Sequence, residues 1–434
     1  MKRELQFMLC LIAISCMAVT CKKQTAGNMP PPGDTGLVNT SHLDYLYTPV
    51  TFSGTNAAGV YIYAEAPDYH LVGDADEGFT CVDDVARAAQ VYLRSDKFSS
   101  DTSVQVKAFN LIKFILEMQS DNGYFYNFLF PDNQINKYGA TSINNANWWS
   151  WRALYTLTEA RPFVKNKDHE LAGRMDAAID KLVIKIKADL VNIPQTTKVV
   201  NGITVPEWLP VGSGTDQAAI LILGLIPYCI ETNDAILTGY VKKLADGIAL
   251  MQQGDATHFP YSAFLSWENT WHAYACDQAY ALLKAGAFLN DAQYTAKGLA
   301  EVDNFYPWLL QNGMKSSFVV AKNANEIQLV SEQSFDQIAY GIRPMVFAAV
   351  EAFRLTGQQK YADIAGHLAA WFLGANAAGK NMYSLTTGRC YDGISSGGTI
   401  NLNSGAESTI EALLAFQRVE VYPEVKAALN KYKK

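Results

Sequence analysis

From residue 81 onward the chain is built of Ala- and Leu-rich segments whose apolar residues return every third and fourth position, the mark of helices with one buried face. Twelve such segments are predicted, at 82–93, 105–118, 147–158, 171–188, 216–228, 234–252, 270–287, 291–311, 334–355, 358–373, 407–419 and 424–431. They come in pairs. Markers near the start of each odd-numbered segment (Asp84, Trp148, Asp216, His272, Asp336 and Glu407) lie 64, 68, 56, 64 and 71 residues apart, intervals that fit a helical hairpin with its loops. Neither helix of a pair can bury its apolar face alone, so six hairpins close into a ring with the odd helices inside and the even ones outside. Residues 211–228 and 338–353 are mostly apolar and suit the inner layer, whereas Lys181, Lys185, Lys187, Lys242 and Lys243 mark even segments as solvent-facing. An open solenoid is the rival layout, but six hairpins of this length favour closure. The prediction is an all-α toroid, one domain over 41–434 with a short irregular segment at its start.

The beginning of the chain carries an address. Lys2 and Arg3 precede an apolar run from Phe7 to Val19, too short to span a bilayer comfortably, and a polar, Pro/Gly-rich stretch follows. Residues 1–20 read as a signal peptide. Met17-Ala18-Val19-Thr20-Cys21 resembles the processing box of bacterial lipoproteins, with Thr20 where Gly, Ala or Ser is usual. Cleavage before Cys21 would make that thiol the lipid attachment point and residues 21–40 a tether, placing the protein at the bacterial cell envelope, on the periplasmic or surface face of the outer membrane. Ordinary secretion and an uncut anchor are the alternatives. Cys81, Cys229, Cys276 and Cys390 are too widely spaced for a zinc motif and are expected mostly as buried free thiols. A net charge of -7 argues against nucleic acid as a partner. A monomeric or weakly associated protein without cofactor or assigned metal is expected; calcium at Asp74, Asp76 and Glu77 or at Asp132 and Asn133 is the alternative, although neither segment matches the EF-hand loop.

Polar and aromatic residues collect where the odd helices begin, at 74–84, 144–149, 212–217, 267–272, 331–337 and 401–407. In a ring with short returns these stretches share one end, so Asp84, Asp216, Asp336 and Glu407 are expected to line one cavity. With these segments the chain resembles the six-hairpin, (α/α)6-toroid glycosidase-like superfamily over essentially everything after residue 50, as a bacterial lipoprotein member. Residues 77–88, around Asp83-Asp84, and 403–412, around Glu407, resemble segments of bacterial toroid proteins from glycan-handling contexts. The resemblance implies the toroid and a glycoside hydrolase, often inverting, that acts on an oligosaccharide or polysaccharide with its acid and base on the rim of the inner barrel. Polysaccharide lyases and terpene and prenyl enzymes share the shape, so fold alone does not choose.

Hydrolysis of a glycosidic bond needs a protonated acid at the leaving oxygen and a carboxylate that activates water or attacks the sugar. Asp84, Glu407, Glu268 and Asp336 are the catalytic candidates. Asp83 adjoins Asp84, but helix neighbours point about 100° apart and are not expected to face one atom. Thr80 and Asp83 have capping-box spacing, as do Ser404 and Glu407, so each acid has a structural alternative as a cap. An ion pair to Arg87 or Arg152 is the alternative for Asp84, and Glu411, one turn beyond Glu407, is expected to point down into the ring. Asp84 and Glu407 belong to hairpins that closure makes neighbours; a separation of about 6.5–9.5 Å predicts inversion and about 5.5 Å retention. The substrate-binding candidates are Glu77, Asp83, Asn147, Trp148, Trp149, Asp216, Trp267, Trp271, His272 and Asn403: rings for the CH faces of a sugar, amides and carboxylates for its hydroxyls. Core packing is the alternative for the rings, and a satisfied core position for His272. No HExxH, GxSxG, phosphate-loop or dinucleotide motif is present. The rival functions are a non-catalytic glycan-binding lipoprotein and a lyase of uronate chains, the latter disfavoured by the carboxylate excess.

Overall fold

A computed structural model describes residues 36–324 and 326–434. The signal run, Cys21 and most of the tether lie outside the described residues. Twelve helices form the toroid: α1 (Val82–Leu93), α2 (Thr102–Glu117), α3 (Trp148–Val164), α4 (His169–Leu190), α5 (Thr215–Thr232), α6 (Ala235–Leu250), α7 (Gln278–Leu289), α8 (Ala292–Ala300), α9 (Arg343–Thr356), α10 (Gln359–Ala369), α11 (Ala406–Val421) and α12 (Pro423–Tyr432). A π-helical turn, Glu301–Phe305, prolongs α8 into Tyr306–Asn312. Each odd helix packs on the next, and α11 returns to α1. That contact closes the ring and excludes the open solenoid. Each even helix packs outside its odd partner.

Local chemistry explains both layers. The outer helices α2, α4, α6 and α8 are each capped by an aspartate (Asp101, Asp168, Asp234, Asp291) whose carboxylate accepts a first-turn N–H. Helix α4 buries one stripe, Leu171, Met175, Ile179, Leu182 and Ile186, and leaves its lysines to solvent. Helix α5 instead buries an unbroken run from Thr215 to Ile226, as an inner helix enclosed on both sides must. Asn233, Asn290 and Gly357, all left-handed, stop α5, α7 and α9.

The structure departs from the sequence reading in the loops. The helix expected over 270–287 begins only at Gln278. Thr270–His272 is a strand, paired with Ser317–Asn323, which in turn pairs with Glu326–Gln333. The helix expected over 334–355 starts at Arg343, with Pro344 in its first turn, after a single 3-10 turn, Ala339–Gly341. The stretch from Tyr45 to Ala64, expected as irregular or short extended structure, is largely extended: it contains an antiparallel pair, Tyr47–Phe52 with Thr55–Val60, turned by Ser53 and Gly54 at positive φ. The fold is therefore mostly helical, with small sheets in the loops. The chain is tied down from Leu37, which is buried and donates its N–H to Glu420 (2.7 Å); the Asn39 N–H donates to the Tyr383 hydroxyl (3.0 Å). The four body cysteines are buried and free. Among the described residues no helix is long and apolar enough to cross a membrane.

Candidate active site

The inner helices deliver their N-termini to one end of the ring, around a cavity of about 430 Å³. Asp83, Asp84 and Glu407 lie in first turns there, where the helix dipole favours carboxylates. Ring closure brings α11 beside α1, and one oxygen from each of the three acids falls within 4.8 Å of the others. Arg87, one turn along α1, ties them together. Its Nη2 donates to Asp84 Oδ1 (2.7 Å), Asp83 Oδ2 (2.8 Å) and Glu407 Oε2 (3.2 Å). The expectation that Asp83 and Asp84 diverge is thereby corrected: a guanidinium three and four residues along gathers both. Neither capping box forms. Gly405 is the N-cap of α11, and Asp392, from a loop, accepts from the Gly405 N–H and the Ser408 hydroxyl. Asn127 accepts from the Asp83 N–H at the start of α1.

A charge ladder supports the cluster from below. Arg87 Nη1 donates to Glu411 (2.6 Å), Glu411 accepts from Arg343 (2.6 Å), and Arg343 donates to Asp277 (2.6 Å). Arg152 completes it by pairing with Asp83 and donating to the Tyr340 hydroxyl. Five carboxylates thus face three guanidiniums. The deficit of positive charge falls on the acids at the top. Burial pushes Asp84 up to about 6, against Arg87 and with help from the Asp83 charge. Burial likewise raises Glu407 to about 7, opposed by Arg87 and reinforced by Asp84 and Glu411. Glu411 is also desolvated, but its arginines outweigh that and hold it below the usual carboxylate range. The Glu407 side chain is 42% accessible and that of Asp84 9%, so Glu407 is the acid that meets a ligand first and mouth water moderates its shift.

Of the other sequence candidates, Glu77, Trp148 and Trp149 also line the cavity. Glu77 Oε1 accepts from the Thr141 hydroxyl (2.6 Å), and the Trp149 indole N–H is spent on the Phe125 carbonyl (2.7 Å). Asp216 and His272 act at one remove. His272 contacts Asp216 through Nε2 (3.1 Å) and the Tyr274 carbonyl through Nδ1 (2.9 Å), while its ring stacks on Tyr274 at 3.7 Å. Both nitrogens are engaged, so the pair positions Tyr274, which lines the cavity.

The remaining candidates lie elsewhere. Glu268 pairs with Lys198 on the rim (2.7 Å), and Asp336 lines a separate small pocket behind Tyr274, so four marker acids do not share one cavity as expected. Their segments open into strands and turns before the inner helices begin, which carries these acids away from the axis. Trp271 is core, stacked on Phe318 at 5.0 Å. Trp267 is half-buried, with its indole N–H toward the Val211 carbonyl (3.4 Å). Asn147 caps α3, and the Asn403 side-chain oxygen accepts from the Ala66 N–H (3.0 Å).

Sequence reasoning missed Tyr63, Tyr274 and Tyr340, which wall the cavity. Tyr340 lies under Arg87 and Arg152, with guanidinium carbons 4.9 and 5.0 Å from its ring centroid. It stands just before an inner helix that starts at Arg343, but the sequence placed it inside a helix expected from residue 334 and so away from the rim. Tyr63 comes from a short strand, Tyr63–Glu65, and no local pattern marks it.

No family model matches the chain, and no curated protein matches it significantly. Solved structures do. Cellobiose 2-epimerase from Spirochaeta thermophila aligns with a TM-score of 0.57 at 11% identity, over 89% of this chain and 93% of that one. A glycoside hydrolase family 9 endoglucanase aligns with a TM-score of 0.50 at 12% identity, over 84% of this chain and 74% of that one. A family 127 β-arabinofuranosidase reaches a TM-score of only 0.47 at 14% identity, over 78% of this chain, which spans about half (52%) of that enzyme's length. At such identities the likeness establishes the architecture alone, an (α/α)6 toroid of six helical hairpins.

Proposed function

We propose that the protein is a carbohydrate-active enzyme that hydrolyses a glycosidic bond of an oligosaccharide or polysaccharide, with Glu407 as general acid and Asp84 as its carboxylate partner. One observation carries the reading: two acids from opposite ends of the chain share Arg87 in an open, aromatic-walled cavity, with ionisation pushed to about 7 and about 6. Two coupled carboxyls raised by burial into this range can hold one proton between them near neutral pH, which leaves one as acid and the other ionised. Trp148, Tyr63 and Tyr274 offer faces for the CH surface of a sugar. Glu77, Asp83, Asp84 and Glu407 outnumber Arg87 and Arg152 along the lining, which favours a neutral glycan over a uronate chain and disfavours the lyase reading.

The spacing bears on stereochemistry. One oxygen of Asp84 lies within 4.8 Å of one oxygen of Glu407, closer to the spacing of retaining than of inverting enzymes, so the proposal for this pair is retention in place of the expected inversion. Arg87 holds Asp84 through Oδ1, and in this reading the Asp84 carboxylate attacks the anomeric carbon as Glu407 protonates the departing oxygen. Water then cleaves the glycosyl ester, giving its proton to Glu407. From the apolar run and Cys21 we further infer a lipid anchor at the bacterial cell envelope. Release of reducing ends from a panel of neutral oligosaccharides tests the reaction, with E407Q and D84N as controls. Binding without release would replace it by glycan recognition, and conversion of a free reducing sugar without cleavage by isomerisation.

A further inference from the structure

The opposite end of the barrel holds a larger cavity, about 620 Å³, walled by the C-terminal halves of α3 and α5 together with α7 and α11. Its charge is opposite to that of the mouth: Arg161, Lys165, Lys284 and Arg418 line it against Glu159 and Glu231. Cations in the last turns of helices, here Arg161 and Arg418, follow from the dipole, and two of the four lining cations are paired. Arg161 meets Asp176 and Glu231, and Lys284 lies 3.7 Å from Glu351. Glu159 is occupied by Arg94, which donates to it through Nε (2.7 Å) and Nη2 (2.8 Å).

Arg418 is different. No carboxylate among the described residues lies within salt-bridge distance of it, and its one hydrogen bond runs from Nη2 to the Tyr280 hydroxyl (3.1 Å). Its Nε is buried without an acceptor, and so is Nη1 of Arg94. Both guanidiniums lie against the Phe347 ring, 5.0 and 5.6 Å from its centroid. A dipole argument accounts for a cation here but not for an Arg418 guanidinium that has a buried donor without an acceptor and no carboxylate partner among the described residues. With Arg418 on one side, Leu223, Ile226, Pro227 and Ile230 of α5 give the cavity an apolar wall. The volume is that of a small-molecule site.

We infer that this rear cavity is a second binding site, for a ligand that carries a carboxylate or phosphate group on an apolar body, with Arg418 as its anchor. The anion takes the free edge of the Arg418 guanidinium and the Tyr280 hydroxyl, and the body lies along α5. The site is separate from the mouth: Arg418 is eleven residues beyond Glu407 on α11, about 16 Å along the helix axis. It does not depend on the reaction proposed there.

Calorimetric titration of the full chain at low salt, with phenyl phosphate, benzoate, inorganic phosphate and neutral benzyl alcohol, tests this. The expected result is saturable binding of phenyl phosphate or benzoate, stronger than inorganic phosphate or benzyl alcohol, weakened roughly ten- to a hundred-fold in R418Q and unchanged in E407Q. Hydrogen exchange on the wild-type protein removes the dependence on R418Q folding, because the bound probe should protect the C-terminal part of α11 and α7 and leave the mouth unaffected. No saturable binding of either organic anion, equal binding of benzyl alcohol, unchanged affinity in a folded R418Q, or protection confined to the mouth would each overturn the inference.

Discussion

Glu407 and Asp84, 323 residues apart in sequence, are held by one nitrogen: Nη2 of Arg87 lies 3.2 Å from Glu407 Oε2 and 2.7 Å from Asp84 Oδ1. The pair exists only because α11 closes on α1. Its behaviour is that of coupled acids, in which ionisation of one makes ionisation of the other harder.

The first prediction is therefore a narrow, bell-shaped pH profile. Activity requires Asp84 ionised and Glu407 protonated, so kcat/KM should fall below about pH 6 and again above about pH 7. The two apparent values belong to the pair. D84N and E407Q should each lower turnover by roughly 100-fold or more with the fold intact. Full activity in a folded E407Q would remove Glu407 from the chemistry.

The ladder below gives a second prediction. Glu411 is fully buried and accepts from Arg87 and Arg343, so E411Q leaves two buried guanidiniums short of an anion. The expected loss is about 3–5 kcal/mol, read by denaturant unfolding. Because the folded pKa of Glu411 is depressed, its stabilisation is present above the ordinary glutamate value and disappears as pH falls through the folded one. Loss of its charge also frees Arg87 for Glu407, so the alkaline limb of activity should move to lower pH. An unshifted limb would show that Glu411 does not act on Glu407.

Much of this was legible in sequence, for a physical reason. A helix that buries one face repeats every 3.6 residues, and Leu171, Met175 and Leu182 announce that period wherever they fold. Loop and strand geometry has no such period. The helix expected from Thr270 is instead a strand that follows a turn, which put His272 and Glu268 in the wrong setting. Ser404 and Glu407 have the spacing of a capping box, yet Asp392 reaches the helix start from a distant loop. Which acids converge depended on Arg87, whose reach across two hairpins no local pattern encodes.

Two tryptophans separate packing from recognition. Trp271 is 1% exposed and wedged between Phe305 and Phe318, so W271A should cost about 3–5 kcal/mol of stability. Trp148 is half-buried on the cavity wall, so W148A should raise KM roughly ten-fold and leave unfolding nearly unchanged. Unfolding curves and saturation kinetics distinguish the two, and an equal stability loss in both would make Trp148 a packing residue.

The last prediction concerns a carboxyl remote from both cavities. Glu301, in the π-helical turn that prolongs α8, is 2% exposed; its Oε1 accepts from the Phe264 N–H (2.8 Å) and its Oε2 from the Tyr306 hydroxyl (3.3 Å). Burial raises it to about 8, against the pull of those two donors, and no salt-bridge partner lies near it among the described residues. A raised carboxyl pKa means that the folded state holds a proton the unfolded chain has released. Its contribution to stability is thus fully present below the unfolded value of 4.5 and is lost as pH rises toward 8. E301Q keeps an acceptor for Phe264 and removes the charge. Its melting temperature should match wild type near pH 5 and exceed it by about 1–2 °C or more at pH 9. A melting difference that does not change between those pH values would mean that Glu301 is already ionised in the folded protein and that its two donors suffice to hold the charge.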